Sequence, residues 1–170
     1  SYFYPDLAKN FQITQYEAPL GYQGNFKGIK IRRIHLEEDP GALIHKTSYC
    51  LVDYNRSGIP LVEIVTEPDF KDPKEVREFL KKLITDLSYL DVYDKKSEFA
   101  LKADLNVSTI GARVEIKNVT GLKDIEDALN YEIERQKKDV PKNNETRGWD
   151  SERGITSLQR TKESEDDYGY

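Results

Sequence analysis

The order of periodic patterns along the chain limits its fold more than any other feature of the sequence. Strand-like alternation, or an apolar run of strand length, occurs at 29–36, 49–53, 61–65, 101–109 and 112–117. Helical spacing of apolar residues occurs at 76–90 and 121–136, each time between groups of strands. Because strands and helices do not alternate regularly, we expect an α+β fold, a mostly antiparallel sheet with two amphipathic helices.

Local patterns predict where these elements begin and end. Asp72 as N-cap, followed by Pro73 and Glu75, is typical of a helix start. A last hairpin is expected at 145–160, and an irregular segment with one short strand at 11–15 and a turn-rich connection at 21–28 opens the chain. In the strand at 29–36, alternation predicts one shared face for four side chains, namely Ile29, Ile31, Arg33 and His35.

Length and composition restrict the class of protein. The 170 residues suit one domain, 1–170, with 37% hydrophobic and 34% charged residues and no apolar run near the roughly 20 residues of a membrane span. The single cysteine excludes a disulfide framework and a multi-cysteine zinc site within the chain, which fits a cytoplasmic protein. A net charge of -5 argues against free-standing electrostatic binding of nucleic acid.

Carboxylates inside or beside strands are the candidate chemistry. Glu63 interrupts the apolar run from Leu61 to Val65, where period two gives it the environment of its apolar neighbours. A further acidic string occupies 37–39, and Asp104 and Asn106 share the polar face of a later strand. Such oxygen donors suit Mg²⁺, although a solvated loop and a wet sheet face explain all of them except Glu63 equally well. No glycine-rich phosphate loop is present.

The motifs resemble, in family order and across essentially the whole chain, the central domain of the B subunit of aspartyl/glutamyl-tRNA amidotransferases. The matching segments include His-Leu-Glu-Glu-Asp and Glu-Ile-Val-Thr-Glu-Pro-Asp, and they lie at 2–7, 12–15, 35–39, 51–56, 63–69, 104–108, 115–118, 145–147, 162–163 and 166–168. The string at 114–121 has an archaeal character. The related archaeal E subunit is a close variant, and the motifs favour the B subunit.

The resemblance implies a heterotrimeric ligase of protein biosynthesis. Its B subunit uses ATP and Mg²⁺ to phosphorylate the side chain of Glu on misacylated tRNA-Gln, or of Asp on misacylated tRNA-Asn. Ammonia from glutamine, made by the A subunit, then gives the amide, and a small C subunit clamps the assembly. The implied fold is a cradle similar to that of glutamine synthetase and guanido kinases. The chain would be part of this catalytic domain and, alone, is expected to be inactive.

The resemblance also assigns residues. It places the catalytic metal ligands at Glu38, Glu63 and Asp104. Contacts to the nucleotide are expected from four further side chains, namely Asn55, Arg56, Asn106 and Lys117. Further members of the site, without assigned roles, are Glu37, Asp39 and Glu67. A Glu-x-His strand that the family uses for the same metal, and its tRNA-contacting helical and tail domains, do not occur in the sequence.

A second function class stays open at this point. A chain with the same fold could be a non-catalytic scaffold that binds RNA or another subunit. Replacing Glu63 in the complete complex separates the two, because only the enzyme depends on that carboxylate.

Overall fold

The computed structural model describes residues 4–13, 15–94, 96 and 101–162, with residues 160–162 described by their backbone alone. The chain divides into two compact units, Ser1–Asp69 and Phe70–Tyr170. The strands of the first unit are β1 (Gly21–Phe26), β2 (Ile29–Glu38), β3 (Ala42–His45), β4 (Cys50–Asp53) and β5 (Pro60–Thr66). The elements of the second are α1 (Pro73–Tyr89), β6 (Lys102–Val107), β7 (Val114–Thr120), α2 (Leu122–Lys138), β8 (Asn144–Asp150) and β9 (Ile155–Lys162).

The first unit contains a three-stranded antiparallel sheet and a separate hairpin. The sheet has the order β1-β2-β5, and β3 pairs with β4. Its buried apolar residues include Leu7, Ile29 and Ile31. Two glutamine side chains bond the part of β2 that extends beyond its pairing with β1. Gln12 donates to the carbonyl of Glu38, and Gln15 accepts from the N–H of Leu36. This unit therefore presents β2 and β5 side by side along most of their length.

Three expectations for the first unit are wrong. Most of the segment expected to be a turn-rich connection forms β1. Gln23 within β1 and Lys27 in the turn after it lie in the left-handed region, at φ 52° and 54°. The segment 11–13 forms no strand, and Thr14 lies outside the described residues. The expected common face of β2 is also divided, because a register shift between Ile31 and Arg33 moves Arg33 and His35 to the opposite side of the sheet from Ile31.

The second unit packs both helices with a four-stranded sheet of order β6-β7-β8-β9. Neighbouring strands are antiparallel except β7 and β8, which are parallel and are joined through α2. The core is formed by one side of β6 and β7 against α2, with Leu105, Ile116, Val119, Ile125 and Leu129 among its buried residues. Both helices and both hairpins occur where the sequence predicted them, and the α+β class is confirmed.

Helix α1 begins as its sequence indicates. The carboxylate of Asp72 accepts a hydrogen bond from the N–H of Glu75, and Pro73 is the first helical residue. This cap satisfies one of the backbone donors that a helix start leaves unpaired. Phe79 on the buried side of α1 makes an edge-to-face contact with Phe70. Neither of the two helices among the described residues is long and apolar enough to cross a membrane.

A fully buried carboxylate links α2 to the sheet. Glu132 accepts hydrogen bonds from Arg135 at 2.8 Å, from Gln136 at 2.9 Å and from the hydroxyl of Thr156 at 2.9 Å. Burial alone would raise the pKa of Glu132, but these hydrogen bonds outweigh it and hold the pKa below its usual value. The Glu132 carboxylate is therefore charged in the folded unit at neutral pH.

Two residues of β8 complete this buried network. Arg147 donates to Glu145 at 2.9 Å and to the Thr156 hydroxyl at 2.9 Å, and Arg135 donates to Glu145 at 3.2 Å. Two carboxylates and two guanidinium groups thus balance one another where α2 meets β8 and β9. Breaking one partner of such a set leaves a buried charge without compensation.

We expect Glu132→Gln to lower the free energy of unfolding by about 3 kcal/mol at pH 7, because it leaves Arg135 and Arg147 with less negative charge. Since the folded pKa of Glu132 is depressed, its contribution is full above the unfolded pKa and disappears as the pH falls through the folded value. Urea denaturation at pH 7 and pH 3 measures both effects. The difference between wild type and variant should shrink at pH 3, and an unchanged difference would contradict the assignment.

Candidate functional site

Antiparallel pairing of β2 and β5 brings three metal-ligating side chains together in the first unit. His35 on β2 lies directly opposite Glu63 on β5 in the register of the two strands. Glu37 follows His35 by two residues and therefore projects from the same side of the sheet. Ligand atoms of His35, Glu37 and Glu63 all lie within 4.8 Å of one another. The name "His35 cluster" is used below for these three residues.

The geometry of the His35 cluster centres on one imidazole nitrogen. The Nε2 atom of His35 lies 2.6 Å from Glu63 Oε2 and 3.1 Å from Glu37 Oε1. The His35 side chain is only 7% exposed, whereas those of Glu37 and Glu63 are 37% and 46% exposed. Two carboxylates thus converge on a buried ring at the surface of the sheet. The expectation that Glu63 shares the environment of its apolar neighbours is wrong, because Glu63 is exposed whereas Leu61 and Val65 are half-buried.

The donor set fits a divalent cation. Glu37 and Glu63 supply two carboxylates, the ligand type that Mg²⁺ takes together with waters and substrate phosphates. Imidazole is a further donor for transition metals, and for Mg²⁺ it would instead hold the carboxylates in place. The second ring nitrogen of His35, Nδ1, is buried and has no hydrogen-bond partner among the described residues. The convergence of Nε2 with two carboxylates is the feature that favours a cation.

Glu38, which was expected to bind metal, lies on the other side of β2. It follows Glu37 by one residue, so strand alternation turns its side chain away from the His35 cluster. Its carboxylate accepts a hydrogen bond from Lys9 Nζ at 2.7 Å, and a cavity of about 300 Å³ lies beside this pair. The prediction for Glu38 and that for the His35 cluster are therefore distinguishable by experiment.

The other residues predicted in the first unit make local contacts. Arg56 donates to Asp39 through Nε at 2.9 Å, and the backbone N–H of Asn55 bonds to Asp53 Oδ1 at 2.9 Å. Glu67 accepts two hydrogen bonds from the guanidinium of Arg32, at 2.9 and 2.6 Å. These bonds outweigh the effect of burial and hold the pKa of Glu67 below its usual value. Nucleotide contacts of Asn55 and Arg56 stay predictions.

In the second unit, the predicted residues lie on the face of the sheet that turns away from α2. Lys117 Nζ lies 2.7 Å from Asp104 Oδ2 and 2.9 Å from Glu115 Oε1. Partial burial lowers the pKa of Lys117. The hydrogen bonds to the two carboxylates together have the larger, opposite effect, so the pKa lies above its usual value. Lys117 therefore carries its charge at neutral pH. Asn106 lies opposite Glu115 on the neighbouring strand, and its side chain is exposed.

Sequence reasoning missed part of both groups. The sequence placed His35 on a strand face without a role in the site, and it made Glu37 a member of the site without an assigned role. The pairing of β2 with β5 would have indicated both, because strand partners on one face are neighbours. Glu115 was missed as a partner of Lys117, although its spacing of two residues on a strand placed it on the same face.

The fold and the His35 cluster together define an α+β chain with a histidine–carboxylate cluster suited to a divalent cation. Comparison with known protein families gives a more specific assignment. A family model described as "GatB/GatE catalytic domain" matches residues 1–170. The chain belongs to this family, as its sequence motifs indicated.

Curated relatives are named as the B subunit of aspartyl/glutamyl-tRNA(Asn/Gln) amidotransferase. The chain is 49% identical to the Methanoregula boonei protein over 189 residues, covering 100% of the chain and 39% of that relative. It is 50% identical to the Saccharolobus solfataricus protein over 188 residues, covering 99% of the chain and 40% of the relative. The chain thus spans about 40% of the length of the curated relatives that it matches.

Glu37→Gln and Glu38→Gln form a matched pair that tests the cation site. If the His35 cluster binds the cation, Glu37→Gln weakens Mn²⁺ binding by at least about tenfold, and Glu38→Gln leaves it unchanged. Mn²⁺ titration followed by electron paramagnetic resonance measures the affinity in the full-length protein. The reverse order would favour Glu38 as the ligand and contradict the cluster.

Proposed function

We propose that this chain is a catalytic part of a tRNA-dependent amidotransferase. The reaction is the ATP-dependent activation of a side-chain carboxylate, followed by its amidation. The carboxylate is that of Glu on misacylated tRNA-Gln, that of Asp on misacylated tRNA-Asn, or both in turn. The convergence of Glu37 and Glu63 on His35 is the observation that carries the proposal. It is supported by the description of the family as a catalytic domain and by the names of the curated relatives.

The proposed chemistry has two balanced steps. In the first, a carboxylate oxygen of the aminoacyl side chain attacks the γ-phosphorus of ATP, and the bond from that phosphorus to ADP breaks. In the second, ammonia attacks the activated carbonyl carbon, the bond from that carbon to the phosphate oxygen breaks, and the departing inorganic phosphate takes up the proton that the nitrogen loses. Phosphoryl transfer depends on positioning and on neutralisation of negative charge, so the protein needs oxygen ligands and cations on rigid strands.

Glu37 and Glu63 would hold Mg²⁺ in this proposal. The ion supplies charge neutralisation for the phosphate oxygens of ATP. His35 contributes from a buried position through Nε2, whose single N–H can donate to either carboxylate and so restrains the pair. Placement on paired strands keeps the two carboxylates at a fixed separation.

The Asp104 group of the second unit, which consists of Asp104, Asn106, Glu115 and Lys117, has a separate part. Lys117 is charged at neutral pH and partly exposed, so it can contact anionic oxygens of a nucleotide. Asp104 and Glu115 hold the ammonium group in place from two sides. Asn106 on the same open face is a further polar contact for the nucleotide.

Partner subunits complete the proposed enzyme. The word "subunit" in the names of the relatives supports an assembly. An A subunit would release ammonia from glutamine, and a C subunit would hold the assembly together. Because this chain has a net charge of -5 and tRNA is an anion, other parts of the assembly have to supply most of the binding energy for tRNA. We place the proposed enzyme in the cytoplasm, in line with the single cysteine of the chain.

Glu63→Gln in the complete complex tests the proposed function. We expect amide formation on misacylated tRNA to fall by at least about tenfold, because the variant removes a charged ligand without changing the size of the side chain. Glu78→Gln is the matched control, since Glu78 is an exposed carboxylate on α1 paired only with Lys81 among the described residues. Rates of amide formation and of ATP hydrolysis give the readout.

Unchanged amide formation in Glu63→Gln would contradict the enzyme and favour the scaffold. In that case, removal of the chain's domain should still disturb binding of tRNA or of a partner protein. Equal losses in Glu63→Gln and Glu78→Gln would also contradict the proposal, because the exposed control has no part in the site.

A further inference from the structure

Strand β7 contains one residue more than regular alternation allows. Ile116 and Val119 are both buried in the core, although side chains separated by three positions on a regular strand point to opposite sides. The register accounts for this, since Leu105 lies opposite Ile116 and Ala103 opposite Val119. Two residues of β7 therefore face one residue of β6, which is the definition of a β-bulge.

The bulge lies at Lys117 and Asn118, directly against Asp104. Asn118 is in the left-handed region, at φ 53°. Its backbone N–H donates to Asp104 Oδ1 at 2.9 Å, and Lys117 Nζ donates to Asp104 Oδ2 at 2.7 Å. Each oxygen of the carboxylate thus has its own donor, and both donors come from the bulge. The orientation of the Asp104 carboxylate is fixed as a result.

Asn118 contacts Asp104 through its backbone N–H and not through its side chain. Its side chain is exposed and makes no hydrogen bond with any described residue. The left-handed conformation is disfavoured for residues with a Cβ, and asparagine tolerates it better than most. The residue type therefore fits the conformation, and the conformation aims the N–H at Asp104.

We propose that Asn118 is a positioning residue, whose left-handed backbone fixes the Asp104 carboxylate and, through it, the Lys117 ammonium for nucleotide contact. The inference rests on the proposed function, in which the Asp104 group contacts ATP. A purely structural alternative exists, because the same bulge brings Val119 back into the core. The test must separate these two roles.

Asn118→Gly and Asn118→Ala form the discriminating pair. Both delete the side chain and keep the N–H, but glycine adopts the left-handed region freely and alanine does not. In the full-length protein within the assembled amidotransferase, we expect the glycine variant to keep kcat for amide formation within about twofold. The alanine variant should lose about tenfold, because its backbone relaxes away from Asp104.

The same pair is then measured in an Asp104→Ala background, which removes both carboxylate oxygens that the bulge contacts. If Asn118 acts through Asp104, the tenfold difference between glycine and alanine disappears there, which is the non-additivity expected of residues in direct contact. A structural role would instead preserve the difference in both backgrounds. Should the alanine variant not assemble, Asn118→Ser takes its place, with the same expected order below glycine.

The possible outcomes separate this inference from the proposed function. Full activity of Asp104→Ala alone would overturn the role of the Asp104 group in the proposed function, and the positioning inference with it. Impaired Asp104→Ala, together with equal rates for Asn118→Gly and Asn118→Ala in the protein that keeps Asp104, would overturn the positioning inference only. A glycine–alanine difference that persists in the Asp104→Ala background would overturn it as well, in favour of a structural role for the bulge.

Discussion

Side-chain alternation along strands is the constraint on which both groups of candidate residues depend. In each unit, a strand departs from regular alternation next to the candidate residues, which are the His35 cluster in the first unit and the Asp104 group in the second. The register shift after Ile31 moves His35 to the side of the sheet where Glu63 projects, and the bulge at Asn118 directs two donors to Asp104. In both units, an irregularity in strand pairing thus decides which polar side chains share one face. Bulges are common near functional sites because they can re-aim a side chain at small structural cost.

Local sequence signals predicted most of the fold, and interactions between strands account for the failures. Helix α1 was predictable because Asp72 and Pro73 act through residues next to them in the chain. Strand β1 was not, because its glycines are equally typical of turns and its pairing with β2 decides the conformation. The divided face of β2 was unpredictable for the same reason, since a register shift is a property of two strands.

The sequence predicted the types of residue in the candidate site better than it predicted which of them are neighbours. The sequence identified Glu63 as a carboxylate in an unusual place, and the structure adds His35 and Glu37 as its neighbours. Glu37 and Glu38 are adjacent in sequence, yet a strand turns them to opposite sides, where one contacts His35 and the other Lys9. Family resemblance names a residue by its position in a motif, whereas only the pairing of strands shows which side it faces.

The buried network around Glu132 has a consequence for how this family can vary. Glu132 and Glu145 balance Arg135 and Arg147, so the four side chains form an electrically neutral set inside the second unit. Loss of any one member leaves an uncompensated charge in a medium that solvates it poorly. Substitutions should therefore be accepted in pairs of opposite sign, or by an apolar replacement of the whole set. In chains of this family, the identities of these four residues would be inherited as a unit.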